Sequence, residues 1–263
     1  MQAIEPIPAF TDNYIWCLHD GTEAWVVDPG DAAPVIDFIE SHRLHLQGIL
    51  ITHHHPDHSG GIGVLCERFA IATIYGPDNP AIAGITHTLR EGDIITVLDQ
   101  QFTVLEVPGH TLDHIAYLST QMQPPALFCG DTLFAAGCGR LFEGRPEQMF
   151  ASLSKFKKLA PETRIYCAHE YTQANLRFAQ AVEPDNLALK QRAQSADNVR
   201  ANDQPTLPST LALELATNPF LRTQQPAVRA AALSFSKESL GHNAQSANEV
   251  EIFAAIRRWK DRF

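Results

Sequence analysis

One short segment of the chain concentrates side chains that proteins use to bind metal ions. It reads Thr52-His53-His54-His55-Pro56-Asp57-His58-Ser59-Gly60-Gly61 and directly follows the apolar run Gly48-Ile49-Leu50-Ile51. Because alternate side chains of an extended chain point to the same side, His53 and His55 are predicted to face one point. His54 is then predicted to face away from it.

The residues that follow enlarge this ligand set. Pro56 favours extended backbone at the residue before it and ends the strand there. Asp57 and His58 are expected in the turn that comes next, just before a helix that starts near Ser59 and Gly60. The pattern H-x-H-x-D-H therefore predicts four potential ligands at one strand end.

Three further candidates each follow an apolar run later in the chain: His110, Asp131 and His169. Taken alone, each is as readily a hydrogen-bonded structural residue, and the alternative for the first segment is a polar loop with incidental histidines. Their shared position after strands favours one common site. The combined set exceeds the roughly four ligands of one zinc ion, so two metals are predicted, with room for a shared water if Asp131 bridges them.

With these motifs the chain resembles the metallo-β-lactamase superfamily and, within it, the hydroxyacylglutathione hydrolases, or glyoxalase II. The superfamily motifs are Ile7-Pro8-Ala9-Phe10 with Asp12-Asn13-Tyr14, Val27-Asp28-Pro29-Gly30, the His/Asp segment, Pro108-Gly109-His110-Thr111 and Gly130-Asp131-Thr132-Leu133-Phe134. Those typical of glyoxalase II are Gly137-Cys138-Gly139-Arg140, Ala168-His169-Glu170-Tyr171-Thr172, Asn218-Pro219-Phe220-Leu221-Arg222 and Arg257-Arg258-Trp259-Lys260-Asp261.

The resemblance spans nearly the whole chain and implies both a fold and an activity. The fold is an αββα sandwich with metals at its edge, in residues 1–170, followed by a smaller helical substrate-binding domain in residues 171–263. The activity is hydrolysis of S-(2-hydroxyacyl)glutathiones such as S-lactoylglutathione, which is the second step of methylglyoxal detoxification.

The resemblance also implies a ligand set and a mechanism. One metal is held by His53, His55 and His110, the other by Asp57, His58 and His169, and Asp131 bridges both. The expected nucleophile is a bridging hydroxide held by Asp131, Asp57 and His58, with one metal polarising the thioester carbonyl. Zinc is expected, and iron and manganese occur in the family and fit the same mixed imidazole and carboxylate ligands. No protein nucleophile is expected, since Gly-x-Ser-x-Gly is absent.

Five positions match the glutathione-binding residues of similar enzymes: Arg140, Phe142, Tyr171, Arg257 and Lys260. The spacing of Arg257 and Lys260 lets both charges project from one helix face toward a carboxylate. Without the resemblance, a basic helix terminus is usually solvated surface. Phe142 stands where some relatives have tyrosine, which removes one hydroxyl from this site.

A second departure lies close to a metal ligand. Asp113 stands where many relatives have glycine, and a carboxylate there can support a ligand or alter the metal preference. His114 is expected to be structural or to support a ligand rather than to bind metal.

Composition limits the other possibilities. The 263 residues are 44% hydrophobic, with a formal net charge of −10, which argues against a nucleic-acid partner. The five cysteines form no C-x-x-C pair, so no disulfide framework is expected. No apolar run approaches the ~20 residues that span a bilayer, and MQAIEPIPAF lacks a signal-peptide pattern. A cytoplasmic monomer that does not bind membranes is expected.

Alternating β-rich and amphipathic segments predict an α/β domain with mixed sheets. The predicted strands are 14–18, 24–27, 48–52, 72–75, 94–98, 102–107, 115–119, 126–129 and 164–167. The predicted helices are 34–42, 61–69, 147–159, 172–181, 188–200 and 248–260. Residues 203–208 and 236–246 are expected to be surface loops.

Four other functions remain compatible with parts of this pattern. A persulfide dioxygenase with one iron, or a lactonase, keeps the fold but changes the reaction. The two-metal ligand set and the basic C-terminal helix argue against the dioxygenase. A nucleic-acid-processing enzyme conflicts with the acidic charge, and a non-catalytic metal-binding protein is disfavoured because no ligand is missing.

Overall fold

The computed structural model describes residues 3–240 and 247–263. The strands are β1 (Ala3–Ala9), β2 (Asn13–His19), β3 (Glu23–Val27), β4 (His45–Leu50), β5 (Thr73–Pro77), β6 (His87–Leu89), β7 (Ile94–Val97), β8 (Gln100–Glu106), β9 (Ile115–Ser119), β10 (Ala126–Gly130), β11 (Leu133–Phe134), β12 (Gly137–Cys138), β13 (Arg164–Cys167) and β14 (Ser209–Thr210). The helices are α1 (Ala32–His42), α2 (Pro56–Ser59), α3 (Ile62–Phe69), α4 (Pro146–Phe156), α5 (Thr172–Val182), α6 (Leu187–Arg200), α7 (Leu211–Thr217), α8 (Pro226–Leu240) and α9 (Glu249–Lys260).

Most strands belong to two six-stranded sheets. The first has the order β1-β2-β3-β4-β5-β6 and the second the order β14-β13-β10-β9-β8-β7, while β11 and β12 form a separate hairpin. Each large sheet contains both parallel and antiparallel neighbours, as β2–β3 and β3–β4 illustrate. The prediction of mixed sheets is therefore confirmed.

The alternation of side chains along β2 shows how the layers stack. Trp16 and Leu18 point into the core shared with the second sheet, where the Trp16 ring meets Tyr166 edge-on at 4.9 Å. Ile15 and Cys17 point the other way, into the core formed with α1 and α3. Because both faces of the strand are buried, the sheet lies between a second sheet and a helical layer. The predicted αββα sandwich is confirmed.

One edge of the sandwich collects the carboxyl ends of several strands. Since β9 runs antiparallel to both β8 and β10, and β10 runs parallel to β13, the strands β8, β10 and β13 all end at the same edge. Two backbone hydrogen bonds tie the sheets together there: Tyr14 N donates to Ala168 O at 2.7 Å, and Ile115 N donates to Thr52 O at 2.9 Å. Loops that follow these strands are therefore held close together.

The structure contains strands that the sequence pattern did not predict. The longest is β1, whose Pro6 and Pro8 argue against a strand, because proline cannot donate to a sheet. This strand pairs only with β2 and lies at the edge of its sheet, where the missing donors are tolerated. The others, β6, β11, β12 and β14, have two or three residues each and are too short for a periodic pattern.

Two predictions about helices were wrong. Asp57 and His58, expected in a turn, lie in the short helix α2, which begins at Pro56, whereas the helix expected to start near Ser59 and Gly60 is α3, which begins at Ile62. Residues 236–240, expected to be part of a loop, extend helix α8, while residues 241–246 lie outside the described residues. The loop predicted for residues 203–208 is confirmed.

A buried polar network joins the C-terminal helices to the hairpin β11–β12. The Glu214 carboxylate is inaccessible to solvent and accepts hydrogen bonds from Arg192 and Ser209 through one oxygen. Its other oxygen accepts from Ala136 N at 2.8 Å and from Asn218 Nδ2 at 3.0 Å. This carboxylate therefore fixes the hairpin against α6 and α7. Within the described parts of the chain, no helix has both the length and the apolar character needed to cross a bilayer.

We expect Glu214→Ala to lower the free energy of unfolding by ~3–5 kcal/mol, because it leaves the buried guanidinium of Arg192 without its carboxylate. Urea denaturation followed by circular dichroism measures this loss. Glu67→Ala, the same change at an exposed position of α3, is the control and should stay within ~0.5 kcal/mol of the parent. Equal stability of the two variants would contradict the structural role of the network.

Candidate metal centre

Three histidines converge where β4 and β8 end. The Nδ1 atom of His55 lies 3.1 Å from Nε2 of His53 and 3.1 Å from Nε2 of His110. His53 and His110 are buried, and His55 is partly exposed. This first ligand group therefore presents three nitrogen atoms to one small volume, reached from two different loops.

A second group lies beside it and shares one carboxylate. Nε2 of His58 lies 3.5 Å from Asp57 Oδ2 and 3.5 Å from Asp131 Oδ1. Nε2 of His169 lies 3.5 Å from the same Asp57 oxygen and 3.4 Å from the same Asp131 oxygen. The other Asp131 oxygen, Oδ2, lies 3.3 Å from Nε2 of His110 in the first group. Asp131 thus stands between the two groups.

These separations fit metal ligation better than hydrogen bonding. Two atoms bound to one ion at ~2.1 Å, with a tetrahedral angle between them, are ~3.4 Å apart. Nε2 of His58 and Oδ1 of Asp131 are buried, and neither has a hydrogen-bond partner in the described part of the chain. Polar atoms in that position are costly unless something else satisfies them. The groups His53/His55/His110 and Asp57/His58/His169 therefore fit two cations, and together with the superfamily match reported below they indicate a binuclear site.

The ring orientations of His53 and His58 are set by one carboxylate. Asp28 Oδ2 lies 3.0 Å from His58 Nδ1 and accepts the Thr52 hydroxyl at 2.7 Å, while Asp28 Oδ1 accepts Thr52 N at 2.7 Å. Thr52 Oγ1 in turn lies 3.0 Å from Nδ1 of His53. With both Nδ1 atoms donating into this chain, each Nε2 is the nitrogen that faces the metal position, and that of His58 would bind a cation in exchange for its proton.

The other histidines of the two groups are held in the same way. Nδ1 of His110 lies 2.9 Å from Arg140 O, and Nδ1 of His169 lies 2.7 Å from Asp12 Oδ1. Asn13 Nδ2 donates to Asp57 Oδ2 at 3.1 Å. Sequence reasoning assigned no role to the supporting side chains; their only signal was that they stand in the motifs around residues 12–14 and 27–30.

Glycine at position 30 is required by close packing. A Cβ built on Gly30 would lie 1.9 Å from the carbonyl oxygen of Asp57. Any side chain there would push α2 outward, and with it the two ligands that α2 carries.

Burial and charge set the protonation of the ligands in opposite ways. Burial lowers the pKa of His53, His55 and His110, so these imidazoles are neutral near neutral pH. Burial also opposes charging of His58 and His169, but carboxylates together outweigh it and raise the pKa of both: Asp131 and Asp28 for His58, and Asp131 and Asp12 for His169. Cations bound at the centre would take the place of the protons on those two rings.

Two neighbouring histidines face away from the metal positions. His54 turns its Nδ1 toward Asp113 Oδ1 at 3.0 Å, which confirms the prediction that it faces away from its neighbours. His114 Nδ1 lies 3.0 Å from Ile115 O, and its Nε2 accepts from Asp131 N at 3.0 Å. Burial lowers the pKa of His114 to about 3, so it remains a neutral acceptor that positions Asp131.

A cavity of about 770 Å³ opens onto this centre. It is lined by His55, Pro56, Asp57, His110, Asp131, Phe134, Cys138, Arg140, Phe142, His169, Tyr171, Ala174, Asn175, Arg257, Lys260, Asp261 and Phe263. The volume suits a ligand of several hundred daltons. All five candidate substrate-binding residues line the cavity, together with Phe134, Cys138, Asn175 and Phe263, which sequence reasoning did not single out.

The two basic residues of α9 differ in what their charges contact. The Arg257 guanidinium is buried, donates to Cys138 O at 2.8 Å and to Asp261 Oδ1 at 2.9 Å, and lies over the Phe220 ring. Lys260 is half-buried, and its Nζ lies 3.3 Å from Ala174 O. The expectation that both charges project toward a ligand therefore fits Lys260 better than Arg257, whose charge is already bound by protein groups. Helix spacing predicts that two residues share a face, but it does not predict which protein groups pack on that face.

Two family models together cover nearly all of the chain. The metallo-beta-lactamase superfamily matches residues 10–169, and the hydroxyacylglutathione hydrolase C-terminus matches residues 170–263. Curated relatives named hydroxyacylglutathione hydrolase include those of Cupriavidus taiwanensis, 52% identical, and Dechloromonas aromatica, 53% identical, each aligned over 100% of both chains.

Solved structures resemble the fold at lower sequence identity. A metallo-beta-lactamase from Staphylococcus aureus has a TM-score of 0.62 at 21% identity, covering 98% of this chain and 71% of that one. ETHE1 from Myxococcus xanthus has a TM-score of 0.57 at 25% identity, covering 82% of this chain and 96% of that one.

We expect Asp28→Asn to lower metal affinity about 10- to 100-fold. The NH₂ group of the new asparagine would face a hydrogen-bond donor in either orientation of its amide. In one orientation it would face the Thr52 N–H, and in the other the Thr52 hydroxyl and His58 Nδ1. Turning the imidazole tautomer to relieve this conflict would put the proton on the metal-facing nitrogen. Chelator competition measures the affinity, and Asp37→Asn, at an exposed position of α1, is the control. Unchanged affinity in Asp28→Asn would contradict this orienting role.

Proposed function

The chain belongs to the metallo-β-lactamase superfamily and, within it, to the hydroxyacylglutathione hydrolases, and we propose that it hydrolyses S-(2-hydroxyacyl)glutathiones such as S-lactoylglutathione. The products are glutathione and a 2-hydroxy acid. The observation that carries this proposal is a binuclear ligand set at the floor of a cavity whose far wall is the C-terminal helical segment. The residues of that wall fall in the segment that matches the hydroxyacylglutathione hydrolase C-terminus.

The proposed ligand assignment follows the two groups described above. His53, His55 and His110 would hold one cation, Asp57, His58 and His169 the other, and the two oxygens of Asp131 would face one each. We propose zinc, since imidazole nitrogen and carboxylate oxygen both suit it, and iron or manganese fits the same ligands. Metal analysis of the purified protein decides among them.

When bound, two such cations supply an activated water near neutral pH and positive charge for the developing oxyanion. The chain's own part is positioning: Asp57, His58 and Asp131 would hold that water between the two ligand groups, and Asn13 fixes the Asp57 carboxylate. The thiolate leaves with little help from an acid, because a free thiol has a pKa of about 8.5. No proton donor beside the sulfur is needed.

The cysteine that lines the cavity is not a competing nucleophile. This residue, Cys138, is buried, and burial raises the pKa of its thiol to about 11. The thiol donates to Gly139 O at 3.6 Å. A protonated, hydrogen-bonded thiol is a poor nucleophile, so direct attack by water is the pathway that the site supports.

We propose that the glutathione moiety lies against the wall formed by Arg140, Tyr171 and Lys260. Tyr171 stacks on the ring of His169 at 4.8 Å with an angle of 2° between the planes, which fixes its hydroxyl at the cavity. The Arg140 side chain is exposed, with its Nε 3.8 Å from Asp261 Oδ1, and a substrate carboxylate would compete with Asp261 for its guanidinium. Arg257 acts from behind this wall: it supports the cavity by holding Cys138 O and Asp261.

Phe142 places an apolar ring at the cavity mouth. The ring lies 5.6 Å from that of His55 and 5.2 Å from that of His110, and most of it is exposed. We propose that it contacts the substrate through its face, since it offers no hydroxyl for a hydrogen bond.

Several finer statements belong to the same proposal. Residues 1–170 are proposed as the catalytic domain and residues 171–263 as the substrate-binding domain, supported by the family matches that meet at residues 169 and 170. A cytoplasmic monomer acting in methylglyoxal detoxification is proposed because its substrate carries glutathione, a cytosolic thiol. The dioxygenase and lactonase alternatives are not favoured, because full-length relatives at about half identity are hydroxyacylglutathione hydrolases.

We expect the metal-loaded protein to release free thiol from S-lactoylglutathione, detected with a thiol reagent, and to lose this activity on dialysis against a chelator. The N-acetylcysteamine thioester of lactate, which lacks both terminal residues of glutathione, is the matched substrate control and should react with a lower kcat/KM. Oxygen consumption and sulfite release from a persulfide, without thioester hydrolysis, would overturn the proposal.

We expect Lys260→Ala to lower kcat/KM about 10- to 100-fold while kcat changes little, because a charge-assisted hydrogen bond to substrate is lost. Burial, with the positive charges of Arg257, Arg177 and Arg140, lowers the pKa of Lys260 to about 8. The ammonium is therefore lost as the pH rises through about 8, and kcat/KM of the parent should fall above that pH. Lys260→Arg should remove this fall, since arginine stays charged.

The matched control for Lys260 is Arg258→Ala, on the exposed face of the same helix. It should leave both kcat and KM unchanged. A parent profile that stays flat above pH 8, or an equal effect of both alanine variants, would exclude Lys260 from substrate binding.

A further inference from the structure

His54, in the metal-binding segment, lies between two carboxylates that have no part in the proposed reaction. Nδ1 of His54 lies 3.0 Å from Asp113 Oδ1, and its Nε2 lies 3.5 Å from Glu143 Oε1. The three side chains come from three separate loops, those after β4, after β8 and before α4. The imidazole therefore links these loops.

The ring joins the two carboxylates through a hydrogen bond to Asp113 and a longer contact of 3.5 Å with Glu143. Each of the three side chains also offers one ligand atom within 4.8 Å of the others, so a third zinc ion is the alternative occupant. The two ring nitrogens face different carboxylates, whereas an imidazole binds a given metal through only one of its nitrogens. The second oxygen of each carboxylate is also engaged: Asn79 Nδ2 donates to Asp113 Oδ2 at 2.8 Å, and Leu112 N donates to Glu143 Oε2 at 2.8 Å. Both carboxylates are therefore held by hydrogen bonds that do not involve the His54 ring.

The link spans the two loops that supply the first ligand group. His54 precedes His55 directly, and Asp113 follows His110 by three residues. Glu143 is joined to the same loop through its backbone, since its N–H donates to His110 O at 3.4 Å. Moving either loop would change the 3.1 Å separation between His55 Nδ1 and His110 Nε2.

We propose that the Asp113–His54–Glu143 clamp positions the first ligand group, so that His54 is a positioning residue and Asp113 its anchor. The proposal rests on the ligand assignment given above and deepens it. The second ligand group, Asp57/His58/His169, has its own supports in Asn13, Asp28 and Asp12 and forms no hydrogen bond or ion pair with the clamp side chains in the described structure. The clamp should therefore act on one metal and spare the other.

The test isolates each ligand group in turn. His169→Ala leaves the first group complete, and His110→Ala leaves the second group complete. In each background, Asp113→Asn is added and the affinity for zinc is measured by competition with a chromophoric chelator. Urea denaturation of every variant checks that the chain remains folded.

We expect Asp113→Asn to weaken zinc binding about 10-fold or more in the His169→Ala background and less than about 2-fold in the His110→Ala background. A general loss of structure would weaken both. The control is Glu162→Gln. Glu162 is an exposed carboxylate just before β13, at the end of this strand that is away from the ligand groups, and its substitution should change the zinc affinity in neither background.

A mutant cycle in the His169→Ala background tests whether the imidazole is the shared element. His54→Leu should weaken zinc binding as much as Asp113→Asn and Glu143→Gln together, and adding either to His54→Leu should have no further effect. Additive losses, equal losses in both backgrounds, or a third zinc per chain that disappears in His54→Leu would overturn the clamp. Thioester hydrolysis by the unmodified protein tests the proposed function separately.

Discussion

The structure depends on one electrostatic problem at the edge of the sandwich. Three neutral imidazoles bring ring nitrogens together, two of them 3.1 Å from the third, and beside them two carboxylates lie close to the nitrogens of two further rings. Lone pairs brought that close repel one another unless protons or metal cations lie between them. The fold must therefore hold the ligands in place with groups other than the ligands themselves.

Those supports explain why the site is built from so many segments. Asp28 at the end of β3 orients two rings, Asp12 in the turn between β1 and β2 orients a third, and the carbonyl of Arg140 orients a fourth. Each support comes from a part of the chain that is distant in sequence from the ligand it holds. The edge where the carboxyl ends of β8, β10 and β13 meet is the place where such distant segments can converge.

The elements predicted from sequence were those whose patterns are local. The alternation of His53, His54 and His55 predicted which ring faces away, and the apolar runs predicted nine strands within a few residues of their observed ends. The edge strand β1 escaped because its prolines argue against pairing, and the short strands carry too few residues for a period.

The hydrogen bonds that orient the ligand side chains, and the protein groups that bind the Arg257 guanidinium, could not be predicted in the same way. Whether a side chain on a helix face meets solvent, substrate or a carbonyl such as Cys138 O depends on which segment packs there. Helical spacing contains no information about that segment. The resemblance to a known family added the identity of the ligands, but not the hydrogen bonds that give His54 and Asp113 their geometry.

The buried thiol of Cys138 has a consequence for the lifetime of the protein in a cell. Each turnover releases a reactive sulfur compound into the cavity that this cysteine lines, and oxidised forms of that compound exchange readily with ionised thiols. Because burial keeps Cys138 protonated, with a pKa of about 11, it does not join that exchange. The cavity wall thus resists covalent blockage by the small molecule for which it is shaped.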